Sequence, residues 1–307
     1  MIKARRLETG DRLAIVAPAS PFDRDAFDRG VGEFARLGVD VIHDDRVFAR
    51  TGFVAGEPEL RAGAIRDAWQ APDVAGLVAA RGGYGSVQVL PFLDRREALV
   101  ARKPFLGSSD LTSLLTFLTT GCGLVAFHGP MVAATMGRGA AAYDAASLVA
   151  SLTRAEPLGE LVGRDLESLR GGEASGVLLG GTLALLLASL GTPFAFDPPQ
   201  GYVLFLDEVA ERPYRIDRML TQLRLSGLLR RASAVVCGEL PHCDEPGGQP
   251  TARSVVADVL ADFPGPVLFG VPSGHTTQPC LTLPFGVAAR VVARERPRLV
   301  IEEAAVE

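Results

Sequence analysis

Cysteine is scarce in this sequence of 307 residues, and its four copies are far apart. They are Cys122, Cys237, Cys243 and Cys280. None belongs to a CxxC pair, so neither a disulfide framework nor a zinc site of paired cysteines is expected. His242 precedes Cys243, but a single loop without a second ligand pair does not indicate a metal site. We therefore expect reduced thiols, no metal and no cofactor.

The chain also lacks long apolar runs and an excess of positive charge. Its richest apolar run, residues 177–190, is interrupted by two glycines and is too short to cross a membrane. The formal net charge of −5 provides no broad electrostatic attraction to nucleic acid or to an anionic membrane. The pair Arg5-Arg6 is followed by acidic residues instead of an apolar stretch, so we expect no secretory signal and a cytoplasmic location.

The residues that are present are typical of a two-domain α/β protein. Hydrophobic residues make up 48% of the chain, and its length suffices for two domains of roughly 100–200 residues each. Short apolar runs, such as 13–17 and 74–80, alternate with helical spacing, such as 25–37 and 214–229. This alternation favours a largely parallel sheet, whereas the alternating polarity after residue 287 indicates a closing antiparallel hairpin.

The regular pattern weakens between about residues 137 and 175, and we place the domain junction there. We predict an α/β fold with an N-terminal domain over 1–140 that has a parallel sheet of the Rossmann or flavodoxin type. A linker region is expected over 141–175. A smaller C-terminal α/β domain, with a partly antiparallel, barrel-like sheet, is expected over 176–307.

The motif Gly107-Ser108-Ser109-Asp110 lies between a short apolar strand and a helix. A serine on such a sharp turn presents its hydroxyl at the end of the sheet, and the following backbone N–H is suited to an oxyanion. The motif lacks the second glycine of G-x-S-x-G, so it equally fits a helix N-cap formed by Ser109 or Asp110. These four residues alone leave both interpretations open.

The run Arg81-Gly82-Gly83-Tyr84-Gly85 also follows an apolar strand. Glycine-rich turns at strand ends expose backbone N–H groups to a ligand, although a plain tight turn is the alternative. The glycine spacing matches neither a P-loop nor a dinucleotide fingerprint, which disfavours a cofactor-dependent oxidoreductase. Arg81 either pairs with a substrate carboxylate or lies on the surface.

Two further strand ends carry groups suited to proton transfer. His275 follows a strand in a glycine-flanked loop, which suits a general base, and Asp207 and Glu208 end another strand. Only one of these adjacent carboxylates can face a site if the strand continues, and solvated loop residues are the alternative for all three. Open α/β sheets carry their sites at strand ends. His128, at a similar position, is interpreted as structural support, and His242 as a surface residue.

Taken as a set, these segments resemble the LD-carboxypeptidase family, which also contains microcin-immunity-type peptidases. The resemblance begins at Gly10-Asp11 with the run 15–21, extends to Gly274-His275 and covers nearly the whole chain. Besides the serine and glycine motifs, it includes His128-Gly129-Pro130-Met131, 176–181, Gly191-Thr192-Pro193 and 214–220. It implies a cytoplasmic, homodimeric serine peptidase that releases the terminal D-alanine of a murein tetrapeptide with a Ser–Glu–His triad split across two domains.

The resemblance also implies roles for single residues. The implied nucleophile, base and two backbone oxyanion donors are Ser109, His275, Gly83 and Asp110. The family usually reads Leu-Glu-Asp where this chain reads Leu206-Asp207-Glu208, so Asp207 matches the catalytic acid by position and Glu208 stays as the alternative. Thr182 stands where the family often has asparagine, and its effect is unexplained.

Two other functions remain open. A microcin-immunity-type peptidase would cleave a peptide–nucleotide conjugate, but one tryptophan and four tyrosines leave few side chains to stack on a base. A non-catalytic binding protein would use the glycine-rich turn to hold a phosphate or a peptide. The favoured partner is a murein peptide whose carboxylate is bound by Arg81 or another arginine, with no nucleic acid and no membrane.

Overall fold

The computed structural model describes residues 1–161 and 163–307 and arranges their strands in two sheets. The strands are β1 (Arg12–Val16), β2 (Asp40–Ile42), β3 (Gly76–Ala79), β4 (Phe105–Gly107), β5 (Ala126–His128), β6 (Gly159–Leu161), β7 (Glu167–Arg170), β8 (Gly172–Thr182), β9 (Tyr202–Asp207), β10 (Ala232–Gly238), β11 (Val267–Val271), β12 (Leu283–Phe285), β13 (Ala288–Ala293) and β14 (Arg298–Ile301).

Helices alternate with these strands along most of the chain. They are α1 (Arg24–Arg36), α2 (Pro58–Gln70), α3 (Ser86–Val89), α4 (Arg95–Ala101), α5 (Thr112–Thr116), α6 (Ala145–Thr153), α7 (Leu183–Ala188), α8 (Pro213–Leu225), α9 (Leu228–Arg231) and α10 (Ala252–Val259). None of the helices in the described ranges has the length and apolar composition needed to span a bilayer.

The first sheet has the strand order β12-β5-β4-β3-β1-β2. Its strands are parallel except for β12, which pairs antiparallel with β5. The parallel part therefore follows the order 2-1-3-4-5 of flavodoxin-like folds, in which ligands bind at the carboxyl ends of the strands. This confirms the fold class predicted for the N-terminal half. Strand β3 is buried along its whole length, as expected for a parallel strand covered on both faces.

The second sheet is mixed and has the order β6-β14-β13-β8-β9-β10-β11-β7. Its centre, from β8 to β11, is parallel, whereas the flanking pairs are antiparallel. The predicted closing hairpin is confirmed as β13 and β14, and the sheet is partly antiparallel as expected. All six residues of β9 are buried, so the strand that ends at Asp207 crosses the middle of the core.

The segments that the sequence assigns to the linker and to the C-terminal domain contain strands of both sheets. The expected linker over 141–175 contains α6, β6, β7 and the first residues of β8, and β6 and β7 form the two edges of the second sheet. Short edge strands with exposed residues give little apolar periodicity, which explains why the sequence pattern missed them. Strand β12, from within 176–307, joins the first sheet instead of the second.

The helix expected over 214–229 is also divided. Helix α8 begins at Pro213, where proline is well tolerated, and ends at Leu225. Gly227 then has a φ of +83°, a conformation that ends helices readily, and α9 starts after it. The apolar spacing continues across this break, so periodicity alone could not reveal it.

Candidate active site

Ser109 lies on a sharp turn directly after β4. Ser108 is still extended, with φ of −152°, whereas Ser109 has a φ of +61° in the left-handed region. This region costs a residue with a side chain roughly 1–2 kcal/mol, and such conformations are concentrated at functional sites. The backbone N–H of Leu111 donates to the Ser108 carbonyl at 3.2 Å and closes the turn. The chain therefore changes direction at Ser109 and exposes it at the end of the sheet.

The glycine-rich turn after β3 packs directly against this serine. A Cβ on Gly82 would lie 2.9 Å from Cβ of Ser109 and 3.2 Å from its Oγ, so a side chain does not fit there. Gly83 has a φ of +100°, and a Cβ on it would lie 2.5 Å from Oγ of Ser20. The same Ser20 hydroxyl accepts the N–H of Tyr84 at 3.0 Å. The two glycines therefore allow the backbone of this turn to lie close to Ser109 and Ser20.

Asp110 is directed away from its own helix. Its carboxylate accepts the backbone N–H of Ser86 at 2.7 Å, and it is almost fully buried. Burial raises the pKa of Asp110, although the N–H of Ser86 opposes that rise. Neither Ser109 nor Asp110 caps the helix that follows it, which excludes the plain N-cap interpretation of the motif. The side chain of Asp110 instead joins the serine turn to the start of α3.

His275 and Asp207 form a hydrogen-bonded pair at the ends of two strands of the second sheet. Nδ1 of His275 lies 2.7 Å from Oδ2 of Asp207, and its backbone N–H donates to both carboxylate oxygens at 3.2 and 3.3 Å. Asp207 is fully buried. Burial alone would lower the pKa of His275, but the hydrogen bond and charge of Asp207 raise it above its ordinary value. Because Nδ1 is engaged, Nε2 is the nitrogen available to a hydroxyl.

Glu208 points away from the histidine. Its carboxylate accepts the N–H of Ala184, in the first turn of α7, at 2.9 Å, and the N–H of Val209 at 3.1 Å. Burial raises the pKa of Glu208 to about 7, although both N–H donors oppose that rise. Asp207 is the last residue of β9 and Glu208 follows it, and the structure directs their carboxylates to different partners.

His128, at the end of β5, is buried beneath the histidine loop. Its Nδ1 lies 3.0 Å from Oγ of Ser273, and that hydroxyl donates to the Leu281 carbonyl at 2.9 Å. The hydroxyl proton is therefore used, which makes Nδ1–H of His128 the donor. Burial lowers the pKa of His128 to about 3, so the ring is neutral. A Cβ on Gly274 would lie 2.7 Å from Cε1 of His128, which places the ring against the loop that carries His275.

Thr182 has surroundings that the sequence did not indicate. It pairs with Asp207 in the register of β8 and β9, and its N–H donates to Oγ1 of Thr112 at 2.9 Å. Its own hydroxyl is buried without a hydrogen-bond partner among the described residues. Thr182 thus lies beside the strand position of the acid, but nothing in these contacts explains the exchange of asparagine for threonine.

A cleft of about 840 Å³ brings the predicted residues together. Ser109, Gly83, His275 and Arg81 all line it, although they come from both sheets. Arg81 is exposed, and its Nη1 donates to the Pro21 carbonyl at 3.0 Å. The cleft therefore combines a hydroxyl on a strained turn, an imidazole fixed by a buried carboxylate, and glycine-rich backbone.

Two residues of this cleft were not selected from the sequence. Arg138 lies at the start of the segment of weak pattern, and no motif drew attention to it. His242 was interpreted as a surface residue and is indeed exposed, but it lines the same cleft and has a φ of +60°. Neither a loop conformation nor the convergence of distant loops can be read from spacing along the chain.

Comparison with protein families agrees with this arrangement. The model of the LD-carboxypeptidase N-terminal domain matches residues 13–129, and the model of the C-terminal domain of the same family matches residues 175–291. The murein tetrapeptide carboxypeptidase of Pseudomonas aeruginosa is 31% identical over 87% of this chain and 89% of its own.

Two solved relatives have the same fold. The muramoyltetrapeptide carboxypeptidase of Oxalobacter formigenes superposes with a TM-score of 0.84 at 29% identity, over 95% of this chain and 99% of its own. The microcin C7 self-immunity protein MccF, in complex with glutamyl sulfamoyl guanosine, has a TM-score of 0.93 at 23% identity over the full length of both chains. The MccF sequence from Escherichia coli is 27% identical over 92% of this chain and 91% of its own. The chain belongs to the LD-carboxypeptidase family of peptidases.

Proposed function

We propose that this enzyme releases the terminal D-alanine from a murein tetrapeptide, with Ser109 as nucleophile, His275 as base and Asp207 as the acid that orients it. The observation that carries the proposal is the shared cleft, which is lined both by Ser109 and by the imidazole held by Asp207. The relatives named as murein tetrapeptide and muramoyltetrapeptide carboxypeptidases support the substrate class.

The first half of the reaction is acylation. Nε2 of His275 takes the hydroxyl proton while Oγ of Ser109 bonds to the carbonyl carbon that precedes D-alanine. The backbone N–H groups of Gly83 and Asp110 bind the resulting oxyanion. The C–N bond then breaks, His275 gives its proton to the leaving amine, and D-alanine departs from an acyl-serine ester.

The second half is hydrolysis of that ester. A water molecule gives one proton to His275 and bonds to the acyl carbon through its oxygen. The bond between that carbon and Oγ of Ser109 breaks, and His275 returns the proton to the serine. The products are a tripeptide with a new carboxylate and the unchanged enzyme.

The contacts of the two adjacent carboxylates favour Asp207 as the acid of the triad. A triad acid must accept from Nδ1–H so that Nε2 stays unprotonated and faces the nucleophile. Asp207 makes this contact, whereas both oxygens of Glu208 accept backbone N–H groups elsewhere. Aspartate is one methylene shorter than the glutamate usual in the family, and its two additional contacts with the His275 N–H suit this shorter reach.

A microcin-immunity-type reaction is the second candidate, because MccF is a relative of this chain. Recognition of a nucleotide base commonly uses stacking on aromatic rings. Among its described lining residues, the cleft contains histidines but no phenylalanine, tyrosine or tryptophan. We therefore favour a peptide without a base.

Mass spectrometry of the purified enzyme with L-Ala-γ-D-Glu-meso-diaminopimelate-D-Ala tests the proposal. The wild type should release D-alanine and leave the tripeptide, whereas Ser109→Ala should leave the tetrapeptide intact. A peptidyl-sulfamoyl nucleoside incubated in parallel tests the second candidate. Cleavage of the nucleoside conjugate alone would replace the murein proposal, and cleavage of neither would favour a binding role.

We further propose that the enzyme works in the cytoplasm as a homodimer. All four cysteines are free and buried, which agrees with a reducing compartment. The homodimer rests on the family resemblance, and sedimentation of the purified protein at several concentrations would test it.

A further inference from the structure

The charge of the cleft differs from that of the whole molecule. The chain has a formal net charge of −5, yet the described residues that line the cleft include Arg81 and Arg138 and no carboxylate side chain. A cleft lined by charges of one sign concentrates ligands of the opposite sign. The cleft is therefore suited to an anionic ligand, and the two arginines are the groups that can bind it.

Arg81 is already partly engaged. Its Nη1 donates to the Pro21 carbonyl at 3.0 Å, which holds the guanidinium against the loop after β1. A carboxylate bound there would have to compete for this donor or use the remaining ones. Arg81 can still add positive charge, but one donor of its guanidinium is already used.

Arg138 projects from a turn whose backbone is fixed. The turn Met136–Arg138 packs against α1, and a Cβ on Gly137 would lie 2.5 Å from the Ala26 carbonyl oxygen. Nε of Arg29 donates to the Gly137 carbonyl at 2.9 Å and holds the turn from the other side. The base of the Arg138 side chain is therefore held in place although the side chain itself is exposed in the cleft.

The guanidinium of Arg138 makes no hydrogen bond and no ion pair with residues 1–161 or 163–307. All five of its N–H donors are therefore available to a ligand. The group also lies near the base. Burial lowers the pKa of His275, and Asp207 and Glu208 raise it. The positive charge of Arg138 makes a smaller contribution that opposes this rise.

We propose that Arg138 is a specificity-determining residue that binds the terminal carboxylate of the peptide substrate through its guanidinium fork. A planar guanidinium binds a carboxylate with two parallel hydrogen bonds and thereby fixes its orientation. The turn that carries Arg138 is anchored and lines the same cleft as Ser109. A carboxylate bound to the guanidinium would therefore direct the last peptide bond of the substrate toward the hydroxyl. The ligand class is a peptide with a free C-terminal carboxylate. This inference rests on the proposed carboxypeptidase function.

The test compares two substrates, the tetrapeptide acid and the same tetrapeptide with a C-terminal amide, by measuring kcat/KM for each. The wild type should prefer the acid, and Arg138→Gln should lose roughly 10- to 100-fold on the acid, the range of a charge-assisted hydrogen bond. Its rate on the amide should stay near that of the wild type, which also shows that the variant is folded. Arg138→Lys keeps the positive charge but lacks the guanidinium fork. Its kcat/KM on the acid should lie between those of the wild type and Arg138→Gln.

Two further variants sharpen the assignment. Arg154→Gln removes an exposed arginine outside the cleft and should leave both rates unchanged. If Arg138→Gln keeps the wild-type ratio of acid to amide while Arg81→Gln loses it, the carboxylate belongs to Arg81 and the inference is wrong. A wild type that processes neither substrate would overturn the proposed function and this inference together, so the two failures are distinguishable.

Discussion

The two halves of the candidate active site hold their reacting groups by different means. In the first sheet, Ser109 is positioned by backbone conformation and by the absence of a side chain at Gly82. In the second sheet, His275 is positioned by hydrogen bonds from its ring and its backbone to Asp207. We call the first the steric half and the second the hydrogen-bonded half. Activity should fall when atoms are added beside Ser109 in the steric half, and when the hydrogen-bond acceptor of His275 is removed in the hydrogen-bonded half.

The largest effect is expected for Ser109, the proposed nucleophile. Ser109→Ala and Ser109→Gly should both lose on the order of 10⁶-fold in kcat, because both remove the nucleophile. They should differ in stability by about 1 kcal/mol in favour of glycine, since a φ of +61° crowds any Cβ. D-alanine release and thermal unfolding measure the two effects. Equal melting temperatures would show that the turn is not strained.

The next effect concerns the hydrogen-bonded half. Asp207→Asn should lose about 10⁴-fold in kcat, because the amide no longer holds His275 in the required tautomer. The matched control Glu208→Gln should lose less than about tenfold, since Glu208 binds backbone N–H groups and not the imidazole. Melting temperatures exclude simple unfolding. A larger loss in Glu208→Gln than in Asp207→Asn would assign the acid to Glu208.

A smaller effect is expected from one added methyl group in the steric half. In Gly82→Ala the new Cβ would lie 2.9 Å from Cβ of Ser109 and would displace the serine, which should reduce kcat by about 100-fold. Gly32→Ala in α1 is the control, because nothing lies within 4 Å of its Cβ. Kinetics of both variants on the tetrapeptide measure the difference. Full activity of Gly82→Ala would mean that the two turns separate easily.

The smallest effect is a displacement of the pH profile in the hydrogen-bonded half. His275 must be neutral to act as a base, so kcat/KM should fall as the pH drops through its pKa. Burial lowers that pKa, but the hydrogen bond and charge of Asp207, with a further contribution from Glu208, raise it above the ordinary value, and the charge of Arg138 opposes the rise. The midpoint of the acidic limb should therefore lie above the ordinary value of about 6.5. A midpoint below this value in wild-type kinetics would contradict the geometry of the pair.

Much of the fold could be predicted from the sequence because it depends on local repetition. Short apolar runs and helical spacing identified the α/β class, and alternating polarity identified the hairpin of β13 and β14. The strands of the expected linker, β6 and β7, lacked such a signal because they are short and lie at sheet edges. The crossing of β12 into the first sheet has no local signature either, since three apolar residues fit any sheet.

The candidate site also has features that the sequence could predict and features that it could not. Ser109, Gly83, Asp207 and His275 lie in motifs that follow strands, and the family resemblance implied their roles. Both the motifs and the resemblance depend only on the order of residues along the chain. Whether Asp207 or Glu208 meets the histidine depends on the direction of one side chain at a strand end, and only the packed strand β9 decides that.

The sequence by itself determined the family, the α/β class and the motifs at the strand ends, because these reside in the order and spacing of residues. The tertiary structure alone decided which carboxylate contacts His275 and which arginine enters the cleft unpaired by the described residues. The physical reason is that a side chain's partners are set by distances between segments far apart in the chain. Arg138 and His275 are separated by more than a hundred residues and share one cleft only because the two sheets meet there.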